Sequence, residues 1–175
     1  MTKRINHGKR FEADFKSSAE KEMFLYRLRD PGSSFNLKCQ GCPKQVTRFS
    51  IKNICDFIGY DYPNQYLLEL KSTKQKSIPF ENIVKNEKDK RLQQMVDAQN
   101  GNEGIYSDVI FNFRIEGNPT YSVMCERVLH YINESERKSI PLSWVKENGI
   151  KIESSLKKVR YNYDIRKFLC DIKPF

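Results

Sequence analysis

The chain has 175 residues, long enough to bury a sizeable core and of a length that favours one domain over residues 1–175. A hydrophobic content of 38% beside 30% charged residues excludes a fibrous or wholly disordered chain, and no run of about 18 apolar residues offers a membrane span. A net charge of +9 points to a polyanionic partner, nucleic acid in preference to an anionic membrane.

Residues 1–8 read as a loose basic arm without the apolar stretch of a signal peptide, so a cytoplasmic location is expected. A helix is predicted from about Gly8 to Glu22, with Phe11, Phe15, Ala19 and Met23 as its apolar stripe. Glu12 stands near its start. There it is either a carboxylate favoured by the helix dipole or an acidic member of a metal site. Phe24 to Arg29 alternates as a first strand, and Asp30-Pro31-Gly32-Ser33-Ser34 is a turn signal. The polar, basic segment of about residues 30–50 reads as a loop or protrusion. It holds Cys39-x-x-Cys42, half of a zinc knuckle with no second pair at usable spacing. Two free thiols, a zinc shared across a dimer and a redox pair all fit it. Five cysteines in a chain of cytosolic character argue against a disulfide framework.

The stretch from Ile54 to Ser72 is read as a hairpin, with the turn in Asp61-Tyr62-Pro63-Asn64-Gln65. Asp56 precedes Glu69 by thirteen residues and the midpoint falls in that turn, so the two carboxylates face each other on neighbouring strands. Glu69 and Lys71 share one face, while Leu68 and Leu70 point to the other. Two hard oxygen ligands beside an ammonium suit Mg²⁺, which keeps several waters and takes phosphate as a co-ligand. Lys71 then orients a water or offsets charge on a phosphoryl group. The plainer reading is a hairpin edge carrying a cross-strand ion pair.

After the hairpin, Lys74 and Lys76 are either a solvated loop or phosphate contacts. Ser77-Ile78-Pro79-Phe80 leads into a helix predicted from about Asn86 to Gln99, with a cationic start in Lys85, Lys88, Lys90 and Arg91. A central strand is expected over Ile105–Phe113, then a strand over Tyr121–Cys125 and a helix over Val128–Glu136. A short helix from Pro141 is expected to be capped by Gly149. Lys157 to Asp164 mixes basic and aromatic residues, and Asp164–Cys170 closes the chain as a helix. The order gives an α/β chain: one mixed sheet flanked by helices.

Gly8-Lys9-Arg10-Phe11-Glu12, then Asp56-x12-Glu69-x-Lys71 running on through Ser77-Ile78-Pro79-Phe80, then Leu92-Gln93-Gln94-Met95 and Arg137-Lys138-Ser139-Ile140, occur in that order. From about Gly8 to Leu169 the chain resembles the RecU family of Holliday junction resolvases of Gram-positive bacteria and their phages. The resemblance implies a restriction-endonuclease-like mixed central sheet flanked by helices, with a protruding stalk. It implies a homodimer that nicks four-way DNA junctions with Mg²⁺, for which Mn²⁺ substitutes. Asp56, Glu69 and the Leu70 carbonyl would hold the metal, Lys71 would be the catalytic lysine, and Glu12 would be the acid of the first helix. Lys9, Arg10, Lys74, Lys76, Arg91, Gln93 and Gln94 would meet DNA. Ile54 stands where the family has Thr, and the metal-site Gln of the following helix aligns near Arg91, with Gln93 and Gln94 close by. The stalk segment is shorter here. A restriction-like or flap nuclease of the same fold, or a non-catalytic DNA-binding module, is the alternative.

Overall fold

This computed structural model describes residues 7–28, 53–84 and 90–172. Its first helix, α1 (His7–Ala19), forms because Phe11, Phe15 and Ala19 recur at helical spacing and all three are buried. Helix α1 lies against one face of a six-stranded sheet. In spatial order the strands are β1 (Phe24–Arg27), β2 (Phe57–Asp61), β3 (Asn64–Thr73), β5 (Ile105–Phe113), β6 (Thr120–Met124) and β8 (Ile150–Lys151). Strands β3 and β5 are parallel, and every other neighbouring pair is antiparallel, so the sheet is mixed.

Alternation along the strands divides the core into two layers. Leu67, Val109, Phe111, Tyr121 and Val123 pack on one face, under Leu92, Met95 and Val96 of α2 (Arg91–Asn100) and Cys125 and Val128 of α3 (Cys125–Glu134). Tyr66, Leu68, Leu70 and Ile110 pack on the other. There they meet α1 and Ile165, Phe168 and Leu169 of the closing helix α5 (Ile165–Ile172). Each such side chain, once fully buried, contributes about 1.5–3 kcal/mol. β5 is buried without a break from Ser107 to Phe113, as its apolar density predicts for a central strand.

Several elements differ from the sequence reading. Helix α2 begins at Arg91, because Lys90 before it has φ −92° and ψ 13°. His7 and Gly8 belong to α1 and not to the arm. α3 starts at Cys125, three residues before the predicted Val128. Ser77–Pro79 forms β4, which pairs antiparallel with β7 (Ser139–Pro141), placing Ile78 opposite Ile140. Lys157 to Asp164 contributes to a hairpin of β9 (Ser154–Lys157) and β10 (Arg160–Tyr163), turned by Lys158 at φ 55°. Gly149 follows α4 (Leu142–Asn148) in extended backbone, φ −119° and ψ 159°, and not as a left-handed cap. Its need is space: a Cβ there would come within 2.7 Å of Val145 O and 2.8 Å of Ser122 O. The arm over residues 1–6, the protrusion of about residues 30–50 with Cys39 and Cys42, and Lys85 and Lys88 lie outside the described residues.

Candidate active site

The predicted hairpin forms as β2 and β3, in a register that pairs Phe57 with Leu68 and Asp61 with Asn64. Asp56 sits one residue before β2. Its N–H donates to Leu68 O at 3.1 Å, and its carbonyl accepts from Leu28 N at 2.9 Å. Continuing the register sets Asp56 across from Glu69. The Asp56 carboxylate folds onto β3, where Oδ2 accepts the Leu70 N–H at 2.8 Å.

Glu69 is 2% exposed. Its Oε1 accepts from Lys71 Nζ at 2.7 Å and from Arg91 Nη1 at 3.1 Å. Its Oε2 is buried and, among the described residues, has no hydrogen-bond partner. Two cations therefore serve one oxygen and none serves the other. Asp56 is pushed up to about 6, first by burial and then by the Glu69 charge; the Leu70 N–H and Lys71 pull the other way, and Glu12 adds a small upward push. A buried carboxylate pair that repels and leaves an oxygen orphaned is chemically matched to a hard cation. Among the described residues no third acid, His or Cys converges on the pair to hold a metal ion. Mg²⁺ fits such a sparse set, because it keeps much of its water.

The other residues singled out in the sequence divide into those at the pair and those away from it. Glu12 lies close enough to act on Asp56, yet its Oε2 is held by Arg27 Nη2 at 2.8 Å. Arg91 reaches Glu69 from the first turn of α2, the place where the family resemblance sets a metal-site Gln. Gln93 instead donates to Asp97 Oδ1 at 2.8 Å on the exposed side of α2, and Gln94 is also exposed. For Gln93 this follows from helix geometry: two residues beyond Arg91, it projects from the other side of α2. Lys74 and Lys76 are exposed between β3 and β4, and Lys9 and Arg10 lie on the first turn of α1. Cys55, beside Asp56, is no nucleophile: burial, with the Glu69 charge second, pushes its thiol up to about 12. The sequence reading passed over Arg114. A lone Arg after a strand carries no periodic signal.

Residues 37–166, which include Asp56, Glu69, Lys71 and Arg91 but not α1, match the family described as RecU, Recombination protein U. The chain is 35% identical over 179 residues to the SPbeta prophage-derived uncharacterized protein YotM of Bacillus subtilis strain 168, an alignment covering 94% of this chain and 85% of that relative. It is also similar to the solved structure of Hjc, a Holliday junction resolvase from Archaeoglobus fulgidus. That similarity has a TM-score of 0.49 and 16% identity, over 82% of this chain and 95% of the other.

Proposed function

Because this chain belongs to the RecU, Recombination protein U, family, we propose that it is a Mg²⁺-dependent endonuclease that cleaves four-way DNA junctions in recombination and repair. The observation that carries the chemistry is the Asp56–Glu69 pair, buried, mutually repelling and with Glu69 Oε2 orphaned. Asp56, Glu69 and the Leu70 carbonyl would hold the ion, and Mn²⁺ would serve in its place. When bound, the ion supplies a water of lowered pKa and polarises a phosphoryl oxygen.

The chain's own groups do the rest. The Leu70 N–H fixes Asp56 Oδ2 and leaves Oδ1 for a ligand. Arg91 aligns Glu69 from the far side of the shared oxygen. Lys71 Nζ places a positive charge and a proton beside the position where charge builds on the phosphoryl group. Glu12, held by Arg27, borders the site and tunes Asp56 through its charge. Lys9, Arg10, Lys74 and Lys76 meet the DNA backbone without reading sequence. A homodimer would set two such sites on a junction of two-fold symmetry.

The Lys71–Glu69–Arg91 cluster favours a second reading, a non-catalytic DNA-binding module in which the acids serve only as ion-pair partners. That reading accounts for Oε1 and leaves Oε2 and the raised Asp56 without a purpose.

The test is an immobile four-way junction beside a matched linear duplex, each with Mg²⁺ or EDTA, using the wild type and Asp56→Ala. Paired nicks in the junction alone are expected, with a loss of at least about 100-fold in Asp56→Ala and DNA binding retained. Cutting of both substrates would keep the metal pair and discard junction specificity. Binding without cleavage under any divalent ion would leave the module reading standing.

A further inference from the structure

The ends of β3 and β5 carry a second polar assembly, on the sheet face opposite Glu69. Arg114 N–H donates to Thr73 O at 2.7 Å, so the chain leaving β5 stays tied to the end of β3. Arg114 Nε donates to Ser72 Oγ at 2.9 Å, and Ser72 Oγ donates to Asn112 Oδ1 at 2.9 Å. The Asn112 amide is fixed in turn by Asn118 Oδ1 and Thr120 Oγ1, each at 2.9 Å. Asn118 adopts φ 46°, and its own amide reaches the Tyr163 hydroxyl at 3.3 Å. A chain of neutral hydrogen bonds therefore ends on one guanidinium.

That guanidinium has no carboxylate partner among the described residues, and its Nη1 is buried with no hydrogen-bond partner. Arg114 as a whole is half-buried, but this one N–H is shielded from water, and a donor left so is costly unless something arrives to accept from it. The surroundings are cationic as well. Lys74 is exposed just past β3, and Arg10 stands one turn into α1. The His7 imidazole at the helix start titrates below its ordinary value, lowered by desolvation and then by Lys74, Arg114 and Arg10. The first turn of α1 carries no acid, and a helix start is itself electropositive. Like charges gathered around an orphaned guanidinium N–H call for an oxyanion.

We propose that Arg114, Arg10, Lys74 and the first turn of α1 form a seat for one phosphodiester of a DNA strand, adjacent to Lys71 and separate from the metal-binding pair. Ser72 is its positioning residue: it touches no ligand and orients Arg114. The seat rests on the proposed nuclease function for the identity of its ligand. Its position explains a design choice in β3. Lys71 and Ser72 are consecutive and point to opposite faces, so one strand serves the scissile phosphate on one side and anchors a second phosphate on the other.

The experiment measures binding of the four-way junction and of the linear duplex across a salt series in EDTA. The wild type, Arg114→Gln, Arg114→Lys, Lys74→Gln and Ser72→Ala are compared, with thermal unfolding of each and Mg²⁺ titration of the free proteins. Arg114→Gln is expected to weaken DNA binding about tenfold near 0.1 M salt and to lower the salt slope by about 1, with Mg²⁺ affinity unchanged. Lys74→Gln, an exposed change that cannot unfold the core, lowers the slope likewise. Ser72→Ala weakens binding with the slope retained, and Arg114→Lys restores the slope but not the full affinity. Wild-type affinity and slope in a folded Arg114→Gln would overturn the seat. Should Arg114→Gln fail to fold, an unchanged slope in Lys74→Gln would overturn it instead. Failure of the nuclease reading is scored separately. A wild type that binds but never cleaves, with the Arg114→Gln loss present, keeps the seat and removes the enzyme; cleavage without that loss does the reverse.

Discussion

At the scale of single residues, hydrogen-bond satisfaction decides more than residue type. Asp56, Glu69 and Lys71 were legible because alternation in a strand fixes which side chains share a face, and a thirteen-residue spacing across a turn fixes which ones oppose. Arg91 was only half legible. Its position in the chain was noticed, but its reach to Glu69 depends on where α2 starts, and helix starts are poorly marked without a capping side chain. Asp108 was not legible at all. It lies in the middle of β5, 3% exposed, and burial pushes its carboxyl up to about 7, opposed by the Ser122 hydroxyl of β6. Among the described residues no cation pairs with it. The folded state thus holds a proton that the unfolded chain releases near pH 4. Because the folded value is the higher one, the contribution of Asp108 to stability is least unfavourable below about pH 4 and worsens as pH rises toward 7. The loss is up to about 4 kcal/mol as an upper bound. Asp108→Asn should reduce that slope and leave the part that Asp56, also raised, contributes. The loss in Tm between pH 5 and pH 8 is expected to be several degrees smaller in the variant than in the wild type, and parallel behaviour of the two proteins would sink the assignment.

At the scale of elements, length governs what a sequence reveals. β5 was read to the residue because seven consecutive positions of its nine, Ser107 to Phe113, share one buried environment. β4 and β7 were missed although both are the same tripeptide, Ser-Ile-Pro. Three residues hold no periodicity, and a proline inside a run argues against a strand. Their pairing joins two sequence motifs quoted for the family resemblance, Ile78 against Ile140, and so closes the layer beneath α3. β9 and β10 were missed because their turn rests on Lys158 at φ 55°, a residue with no turn preference. Gly149 was assigned the right position for the wrong reason. A left-handed cap would tolerate Asn, but a position lacking room for a Cβ tolerates nothing larger than glycine. Gly149→Ala is therefore expected to destabilise by roughly 1–3 kcal/mol, since two of the three closest contacts, Val145 O and Ser122 O, are backbone. A shift of several degrees in Tm would register it; an unchanged Tm would show that α4 and β6 can part at little cost.

At the scale of the whole molecule, composition anticipated a basic chain with a polyanionic partner, and the element order anticipated a mixed sheet between helices. Neither could place α1, α2 and the hairpin around one pair of acids, since that depends on contacts between distant parts of the chain. The same division has a consequence in time. Asp56 and Glu69 both belong to a hairpin whose closest partners, Asp61 and Asn64, are three residues apart. β3 and β5 pair in parallel, every partner 40 residues away, and α2 with Arg91 lies within that span. Short loops close faster than long ones, so the hairpin forms ahead of the parallel seam. Pulse-labelled hydrogen exchange during refolding should protect amides of β2 and its turn-side partners before those that β3 and β5 exchange. Simultaneous protection would contradict that order. Maturation then runs from partial to full neutralisation: the acids and Lys71 are brought together first, and the second cation, Arg91, is delivered last.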